Sequence, residues 1–299
     1  MSLLLACAAC AALMAVDLFA RAVRLRGFLR GAGFRVTVPS LCVTILFSDA
    51  AAAVTPMRLG GEPARWLGLR TSGVAAGAGV AVLAVEMVTY LSVVAVSGAV
   101  AAWMLGAGWW AEVGPRLAVR AVEGFPWIVA VVLASVAVWT WVRRQRARRP
   151  AVAHDRASAG VALRGALGWP LLAAVPLTLV SIACRLAILP ILAQTLAVPP
   201  PPGVLLLGSF ALIYGQLFFP TPGGAGAVEL LASAGTAGEL GGSAGAVFLA
   251  WRGITAGLPV VLGFALAVNR YGGAAVRDAL RGTPPSEAPP PADTIGIAR

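Results

Sequence analysis

The sequence contains no lysine and a single histidine, His154, and only 12% of its 299 residues are charged. Soluble domains are usually about 25% charged, so this chain has too few polar residues to cover a water-facing surface. The absence of lysine excludes a Walker motif, and with it nucleotide-driven work by this chain. The lone histidine leaves little room for histidine-based catalysis.

Apolar residues are abundant instead, at 59% of the chain with a mean hydropathy of +0.87. A helix needs about 20 apolar residues to cross a hydrocarbon core of about 30 Å, and several apolar runs reach or exceed that length. We therefore predict an all-α polytopic integral membrane protein. The apolar runs are 2–20, 41–54, 74–105, 125–142, 166–198, 204–219 and 245–268.

All 23 basic residues are arginines, and the net charge is +11. Many of them lie in three patches between apolar runs, which we interpret as cytoplasmic topology signals that touch anionic lipid. No nucleic-acid-binding motif accompanies them, so no nucleic-acid partner is expected. The first patch is Arg21, Arg24, Arg26, Arg30 and Arg35; the second is Arg143, Arg144, Arg146, Arg148, Arg149, Arg156 and Arg164; the third is Arg270, Arg277 and Arg281.

Placing all three patches on one side of the membrane limits how many runs can cross it. Three apolar runs separate each patch from the next, and three crossings would put neighbouring patches on opposite sides. One run in each half must therefore turn back, and 41–54 and 204–219 are followed by the proline and paired glycines that stop a helix. We predict a re-entrant helical hairpin over 39–72, entering from the cytoplasm, and another over 203–238, entering from outside.

About five helices would then cross, with the N-terminus outside and the C-terminus in the cytoplasm. Both hairpins contain Thr-Pro, a Gly-Gly pair and a following glutamate, which predicts an inverted repeat around a central substrate site, as in many transporters. The predicted crossings are at about 2–20, 73–105, 125–142, 165–197 and 243–268. The predicted organisation is one domain over 1–282, with half repeats over about 1–142 and 165–270 joined by a basic cytoplasmic loop over 143–164, and a disordered Pro-rich tail over 283–299.

Charged residues also occur in or beside the predicted membrane segments. Each costs at least about 2.5–3.5 kcal/mol in hydrocarbon, so they must pair or face a wet cavity. We interpret them as lining a cavity for an anionic headgroup, with arginines attracting phosphate and glutamates pairing with them or carrying protons. Free N–H groups at the two Gly-Gly pairs would add donors. The predicted site is Gly60, Gly61, Glu62, Arg65, Glu86, Arg185, Pro222, Gly223, Gly224, Gly226, Glu229 and Arg252.

The alternative interpretation of these charges is that they form buried ion pairs that only lock helices together. We prefer the headgroup site for Glu62, Arg65 and Glu229, because these residues adjoin the helix breaks. Both interpretations stay open for Glu86 and for the arginines of the later helices. Asp49 is interpreted as a local cap or hairpin bond.

The stretch Phe219–Glu229, which reads FPTPGGAGAVE, resembles the signature of the flippase-like membrane domain of lysylphosphatidylglycerol synthases. Thr55–Arg70 resembles the first conserved loop of that family, and Arg252 with Pro259 resembles its last-helix pattern. Glu86 falls where the family has a Glu-Arg pair, although Met87 replaces the arginine. The resemblance spans about residues 10–270. The family commonly has one more N-terminal helix, which we expect this chain to lack.

We expect no soluble aminoacyl-transferase domain beside the membrane domain, so the resemblance implies lipid movement across the bilayer and not aminoacylation. We expect a bacterial inner (plasma) membrane protein, not an enzyme, that flips an anionic lipid such as a phospholipid or polyprenyl-phosphate conjugate. No cofactor, metal or nucleotide is expected. The alternatives are an intramembrane lipid-modifying enzyme, with Glu229 or Glu62 as general base, and an accessory or scaffold subunit of a cell-envelope synthase.

Overall fold

The computed structural model of the chain describes residues 2–55, 58–105, 152–196, 202–215 and 244–280. Regular structure in these segments is helical, and no strand occurs in them. The helices are α1 (Leu3–Gly31), α2 (Val38–Val54), α3 (Gly61–Thr71), α4 (Ala76–Leu105), α5 (Val152–Ala166), α6 (Trp169–Ala193), α7 (Pro202–Gly215), α8 (Ala244–Arg252), α9 (Leu258–Tyr271) and α10 (Gly273–Leu280), with a π-helical turn (Gly253–Gly257) joining α8 to α9.

Four helices in this part of the chain are long and apolar enough to cross a membrane: Leu3–Gly31, Ala76–Met104, Trp169–Ala193 and Gly245–Tyr271. They correspond to four of the five predicted crossings. The fifth, over 125–142, lies outside the described residues, as does the predicted tail over 283–299. The all-helical fold satisfies backbone hydrogen bonds inside each segment, which hydrocarbon requires.

Helix α1 is longer than predicted, because it continues past residue 20 and ends at Gly31. The prediction ended the helix where the apolar run ended, and this was wrong. Arginine is a good helix former, and Asp17 pairs with Arg21 one turn later, so the charged segment stays helical. The helix stops before Gly33, whose φ of +90° breaks the helical conformation.

Helices α2 and α3 form the helical hairpin predicted over 39–72. The turn between them is held by Thr55, whose Oγ1 accepts a hydrogen bond of 2.8 Å from the Gly60 N–H and donates one of 2.7 Å to the Ala51 carbonyl. The 11 residues of α3 rise only about 16 Å, roughly half of a hydrocarbon core, so α3 cannot cross a membrane. Insertion of this hairpin as a re-entrant element stays a prediction.

The second predicted hairpin, over 203–238, is described only in its first arm. Helix α7 is a short apolar helix that packs against α6 and α4. The rest of that hairpin, from residue 216 onwards, lies outside the described residues. The inverted repeat therefore also stays a prediction.

Helix α9 packs along α2 and holds the first hairpin from the other side. A side chain at Gly263 would collide with the Leu46 carbonyl and with Ala50, so glycine permits the close approach of the two helices. Phe47 packs against Phe264 and Tyr271, with ring centroids 6.2 and 6.0 Å apart. The hairpin is thus enclosed in the helix bundle.

The exposed patch arginines that the structure describes, such as Arg30, Arg164 and Arg270, lie at one end of the helices, which we call the basic end. Gly31 and Gly165 are in backbone contact, so the end of α1 lies beside the end of α5, which carries Arg164. Arg270 donates a 3.0 Å hydrogen bond to Ser40, joining the end of α9 to the start of α2. The described arginines of the three patches therefore share one end of the helices, and the placement of that end on the cytoplasmic side stays a prediction.

Two features of the predicted patches are corrected by the structure. Residues 152–166, predicted as part of a cytoplasmic loop, form α5, which packs against α4 and α1. Its Ala162 and Ala166 are buried in the core. Arg21 and Arg24 are also not topology signals, because both are buried inside the bundle.

Candidate functional site

One face of α1 carries three buried charges. Asp17, Arg21 and Arg24 are spaced four and three residues apart, so they lie on one side of the helix. Their exposed fractions are 0%, 7% and 4%. Charges buried this deeply in an apolar bundle require partners on the neighbouring helices.

The first group of partners, here called the Asp17 cluster, joins α1, α2 and α6. Arg21 donates two hydrogen bonds to the Asp49 carboxylate, at 3.1 and 2.7 Å, and also lies 3.0 Å from Asp17. Arg185 donates to Asp17 at 3.1 Å, and its Nη2 lies 3.8 Å from Asp49. Ser181 donates a further hydrogen bond to Asp17. Two arginines and two carboxylates therefore compensate one another.

The second group, here called the Glu86 cluster, joins α1, α3, α4 and α6. Arg24 donates to Glu86 Oε1 from Nε at 3.1 Å and from Nη2 at 2.8 Å, and donates to Thr178 at 3.0 Å. Arg65 of α3 donates to the same oxygen at 3.2 Å. Arg65 also lies 3.6 Å from Glu62, one turn away on its own helix. Arg65 thus has two carboxylate partners.

A cavity of about 490 Å³ lies between the two clusters. Its volume is within the range of about 300–1,000 Å³ that is typical of small-molecule sites. Apolar and aromatic side chains line it together with the charges, so the cavity is amphipathic. The lining includes Met14, Arg21, Arg24, Ser48, Asp49, Arg58, Leu59, Glu62, Arg65, Glu86, Met87, Tyr90, Leu91, Arg185, Ile213, Tyr214, Trp251 and Thr255.

The described lining is richer in positive than in negative charge. Five arginines and three carboxylates line the cavity. A fourth carboxylate, Asp17, is not among the lining residues but pairs with Arg21. The fifth arginine, Arg58, lies in the hairpin turn with a left-handed φ of 59°. Burial raises the pKa of Glu62 above its ordinary value, an effect that Arg65 opposes and Glu86 reinforces.

Most of the predicted site residues that the structure describes meet in this cavity. Gly61, Glu62, Arg65, Glu86 and Arg185 all line it. Glu86 forms its charge pair with arginines of other helices, and so does not need one at its neighbour Met87.

Two other predicted site residues stand apart. Gly60 lies in the turn beside Thr55, and Arg252 lies over the Trp251 ring, 5.8 Å from its centroid, rather than among the described lining residues. Outside the described residues are Pro222, Gly223, Gly224, Gly226 and Glu229.

The expectation of free N–H donors at Gly60-Gly61 is wrong. The Gly60 N–H donates to Thr55 Oγ1, and the Gly61 N–H donates to the Arg58 carbonyl at 3.2 Å. The interpretation of Asp49 as a local cap is also wrong, because Asp49 binds Arg21 of another helix. In both cases a tertiary or turn contact replaced the local one that the motif suggested.

Asp17, Arg21, Arg24 and Arg58 belong to this charged network and were missed. The first three stand at the edge of an apolar run, where charge ordinarily marks the end of a membrane helix. Their helical spacing was the available signal, since it aligns an acid and two arginines on one face. Arg58 lies inside the hairpin motif but carried no distinguishing pattern.

Residues 1–263 of the chain match the family described as the lysylphosphatidylglycerol synthase TM region. No curated protein and no solved structure matches the chain. The family match, the four membrane-length helices and the all-helical fold together show a multi-pass membrane protein related to lipid handling. The chain therefore belongs to the family of the lysylphosphatidylglycerol synthase TM region.

Proposed function

We propose that the protein binds an anionic amphipathic lipid, such as a phospholipid or a polyprenyl-phosphate conjugate, by its headgroup and moves it across the bilayer. The observation that carries this proposal is the cavity bordered by five arginines. Ion pairs that served only to lock helices would pack tightly, whereas these arginines border a space of ligand size. Membership of a lipid-handling family supports the same conclusion.

The chemistry of the cavity favours an anionic headgroup. Guanidinium groups match phosphate oxygens with paired hydrogen bonds, and arginine keeps its charge when buried. The positive excess among the described residues is compensated when an anion enters. Apolar side chains such as Met87, Leu91 and Ile213 line the same space and offer contact to the adjoining glycerol and acyl groups. The site therefore suits an amphipathic anion better than a free inorganic one.

Exchange of ion-pair partners provides a route for the headgroup. The first hairpin contributes Arg65, which binds Glu86 and Glu62, and a phosphate competes with these carboxylates for the guanidinium. Translocation would be passive, coupled to protons through Glu62 or Glu229, or dependent on a partner protein. We place the protein in the inner (plasma) membrane with its basic end facing the cytoplasm.

The proposal is tested with purified protein in liposomes that contain a fluorescent phosphatidylglycerol, using a membrane-impermeant quencher to follow exchange between leaflets. Wild type should expose inner-leaflet lipid to the quencher. Arg65→Ala should slow this by about tenfold or more, because a hydrogen bond to a charged group contributes about 1.5–3 kcal/mol. Arg70→Ala is the matched control, since Arg70 lies on the same helix but is exposed and packs over Trp66.

Equal exchange by wild type and a folded Arg65→Ala variant would show that the site assignment is wrong. Wild type without exchange activity would contradict translocation itself. Mass spectrometry of the recovered lipid then separates the alternatives: a product of new mass would indicate a lipid-modifying enzyme. Unchanged lipid together with stable co-purification of an envelope synthase would indicate an accessory subunit.

A further inference from the structure

Several residues that line the cavity carry a buried polar atom with no hydrogen-bond partner among the described residues. Three are N–H donors: Arg21 Nε, Arg65 Nε and Trp251 Nε1. The fourth, the Tyr214 hydroxyl, can donate or accept, and the fifth, Glu86 Oε2, is an acceptor. Buried polar atoms are almost always paired, so a cluster of unpaired ones around a cavity indicates the groups that a ligand supplies.

The three N–H donors suit the oxygens of a phosphate, but Glu86 Oε2 cannot serve a phosphate. An ionised carboxylate only accepts hydrogen bonds, so this oxygen needs a donor. Arg24 and Arg65 both donate to the other oxygen, Oε1. Glu86 is only 1% exposed, so bulk water does not readily serve Oε2. A ligand that fills the cavity and displaces water from Oε2 must therefore carry a donor in addition to its anionic group.

The charge around Glu86 selects the kind of donor. Five arginines border the cavity, and two of them bind Glu86 directly. An ammonium group on the ligand would be repelled by these arginines, whereas a neutral hydroxyl donates a hydrogen bond without adding positive charge. A hydroxyl is therefore favoured over an amine.

We infer that the preferred headgroup is a phosphodiester whose alcohol carries a free hydroxyl, such as a glycerol, inositol or sugar, and that this hydroxyl donates to Glu86 Oε2. The inference rests on the proposed function, because it assigns the headgroup of the lipid bound in the same cavity. In this binding mode, the phosphate accepts hydrogen bonds from Arg21, Arg65 and Trp251. The acceptor and the donors of the cavity thus have separate roles.

Two short-chain lipids of equal charge isolate the role of the hydroxyl. Dioctanoyl phosphatidylglycerol carries free hydroxyls, and dioctanoyl phosphatidylethanol carries none. Binding to the full-length protein in detergent is measured by titration in native mass spectrometry. Wild type should bind the first about tenfold more tightly, as expected for one hydrogen bond to a charged acceptor.

Three variants separate the donors from the acceptor. Glu86→Gln, which retains the shape of the side chain, should reduce the ratio between the two lipids severalfold. Trp251→Phe should weaken both lipids alike and leave the ratio unchanged. Ser209→Ala is the matched control, because Ser209 Oγ is equally buried and lacks a partner among the described residues but does not line the cavity. It should change neither affinity.

Equal binding of the two lipids to wild type would overturn the inference while leaving anionic lipid binding intact. Loss of selectivity in Trp251→Phe would also overturn it, because the ligand hydroxyl would then interact with the Trp251 N–H and not with Glu86 Oε2. If neither lipid bound better than dioctanoyl phosphatidylcholine, both the inference and the proposed function would fail.

Discussion

At the scale of single residues, Arg65 is the most exchangeable charge of the cavity. It lies 3.2 Å from Glu86, which is buried, and 3.6 Å from Glu62, whose side chain is 44% exposed. The contact to Glu62 is the longer and more hydrated of the two, so it contributes less and is easier to replace. A phosphate can therefore take the place of Glu62 without leaving Glu86 unpaired.

The protonation of Glu62 should control anion affinity. Burial raises the pKa of Glu62, so it takes up a proton at a higher pH than an ordinary glutamate. Protonation removes a negative charge beside Arg65, and the affinity for dioctanoyl phosphatidylglycerol should therefore increase as the pH falls from neutral towards the raised pKa of Glu62. Glu62→Gln should bind with the acid-state affinity throughout. An identical pH profile in wild type and Glu62→Gln would contradict this role.

The sequence revealed some of the site residues and concealed others for a physical reason. Glu86 and Arg185 stand alone inside apolar runs, where their cost in hydrocarbon makes them conspicuous. Asp17, Arg21 and Arg24 stand at the border of a run, where charge is ordinary. Their partners come from other helices: Arg24 binds Thr178, 154 residues away. Spacing along one helix identifies a face but does not identify what packs against it.

At the scale of elements, the hairpin of α2 and α3 depends on close backbone approach. A Cβ at Gly68 would lie 2.6 Å from the Thr44 side chain, and one at Gly61 would lie 3.1 Å from Ala52. Thr44 itself cannot rotate freely, because its hydroxyl donates to the Ser40 carbonyl and contacts the Tyr271 hydroxyl at 3.1 Å. Glycine at position 68 therefore brings the two arms of the hairpin together.

Gly68→Ala should destabilise the folded protein by about 1–3 kcal/mol, as overpacking usually does, despite the better helix propensity of alanine. Gly79→Ala is the matched control, because the nearest atom to its new Cβ would be 3.7 Å away. The measurement is the thermal unfolding midpoint in detergent. A Gly68→Ala midpoint equal to or above that of Gly79→Ala would contradict the tight packing of the hairpin.

Element boundaries were predictable only where the hydrophobic pattern and the helix coincide. Helix α4 fills its apolar run, so its existence and position followed from composition alone. Helix α1 extends about three turns beyond its apolar run, because Arg21 and Arg24 form ion pairs with carboxylates inside the bundle. Helix α5 was missed because arginine-rich segments are ordinarily loops, whereas here small residues pack on α4 and α1. Tertiary pairing overrode the local pattern in both cases.

At the scale of the whole molecule, one bundle contains two different arginine populations. Exposed arginines such as Arg30 and Arg164 lie at the basic end, where we expect them to act as topology signals. Buried arginines border the cavity, where carboxylates from several helices hold them. Residues of α2, of the hairpin turn and of α3 form part of the cavity wall. The charged site therefore lies where α3, which is too short to cross a membrane, meets helices that are long enough to cross one.

The central claim is that a lipid headgroup enters the buried cavity, and photocrosslinking tests it most directly. A phosphatidylglycerol with a diazirine in its headgroup is activated in proteoliposomes, and labelled residues are identified by peptide mass spectrometry. We predict adducts on the cavity residues Tyr90 and Trp251, lost in Arg65→Ala and retained in Arg70→Ala. Adducts confined to outward-facing residues such as Leu4 and Trp103, which are 84% and 82% exposed, would contradict the account.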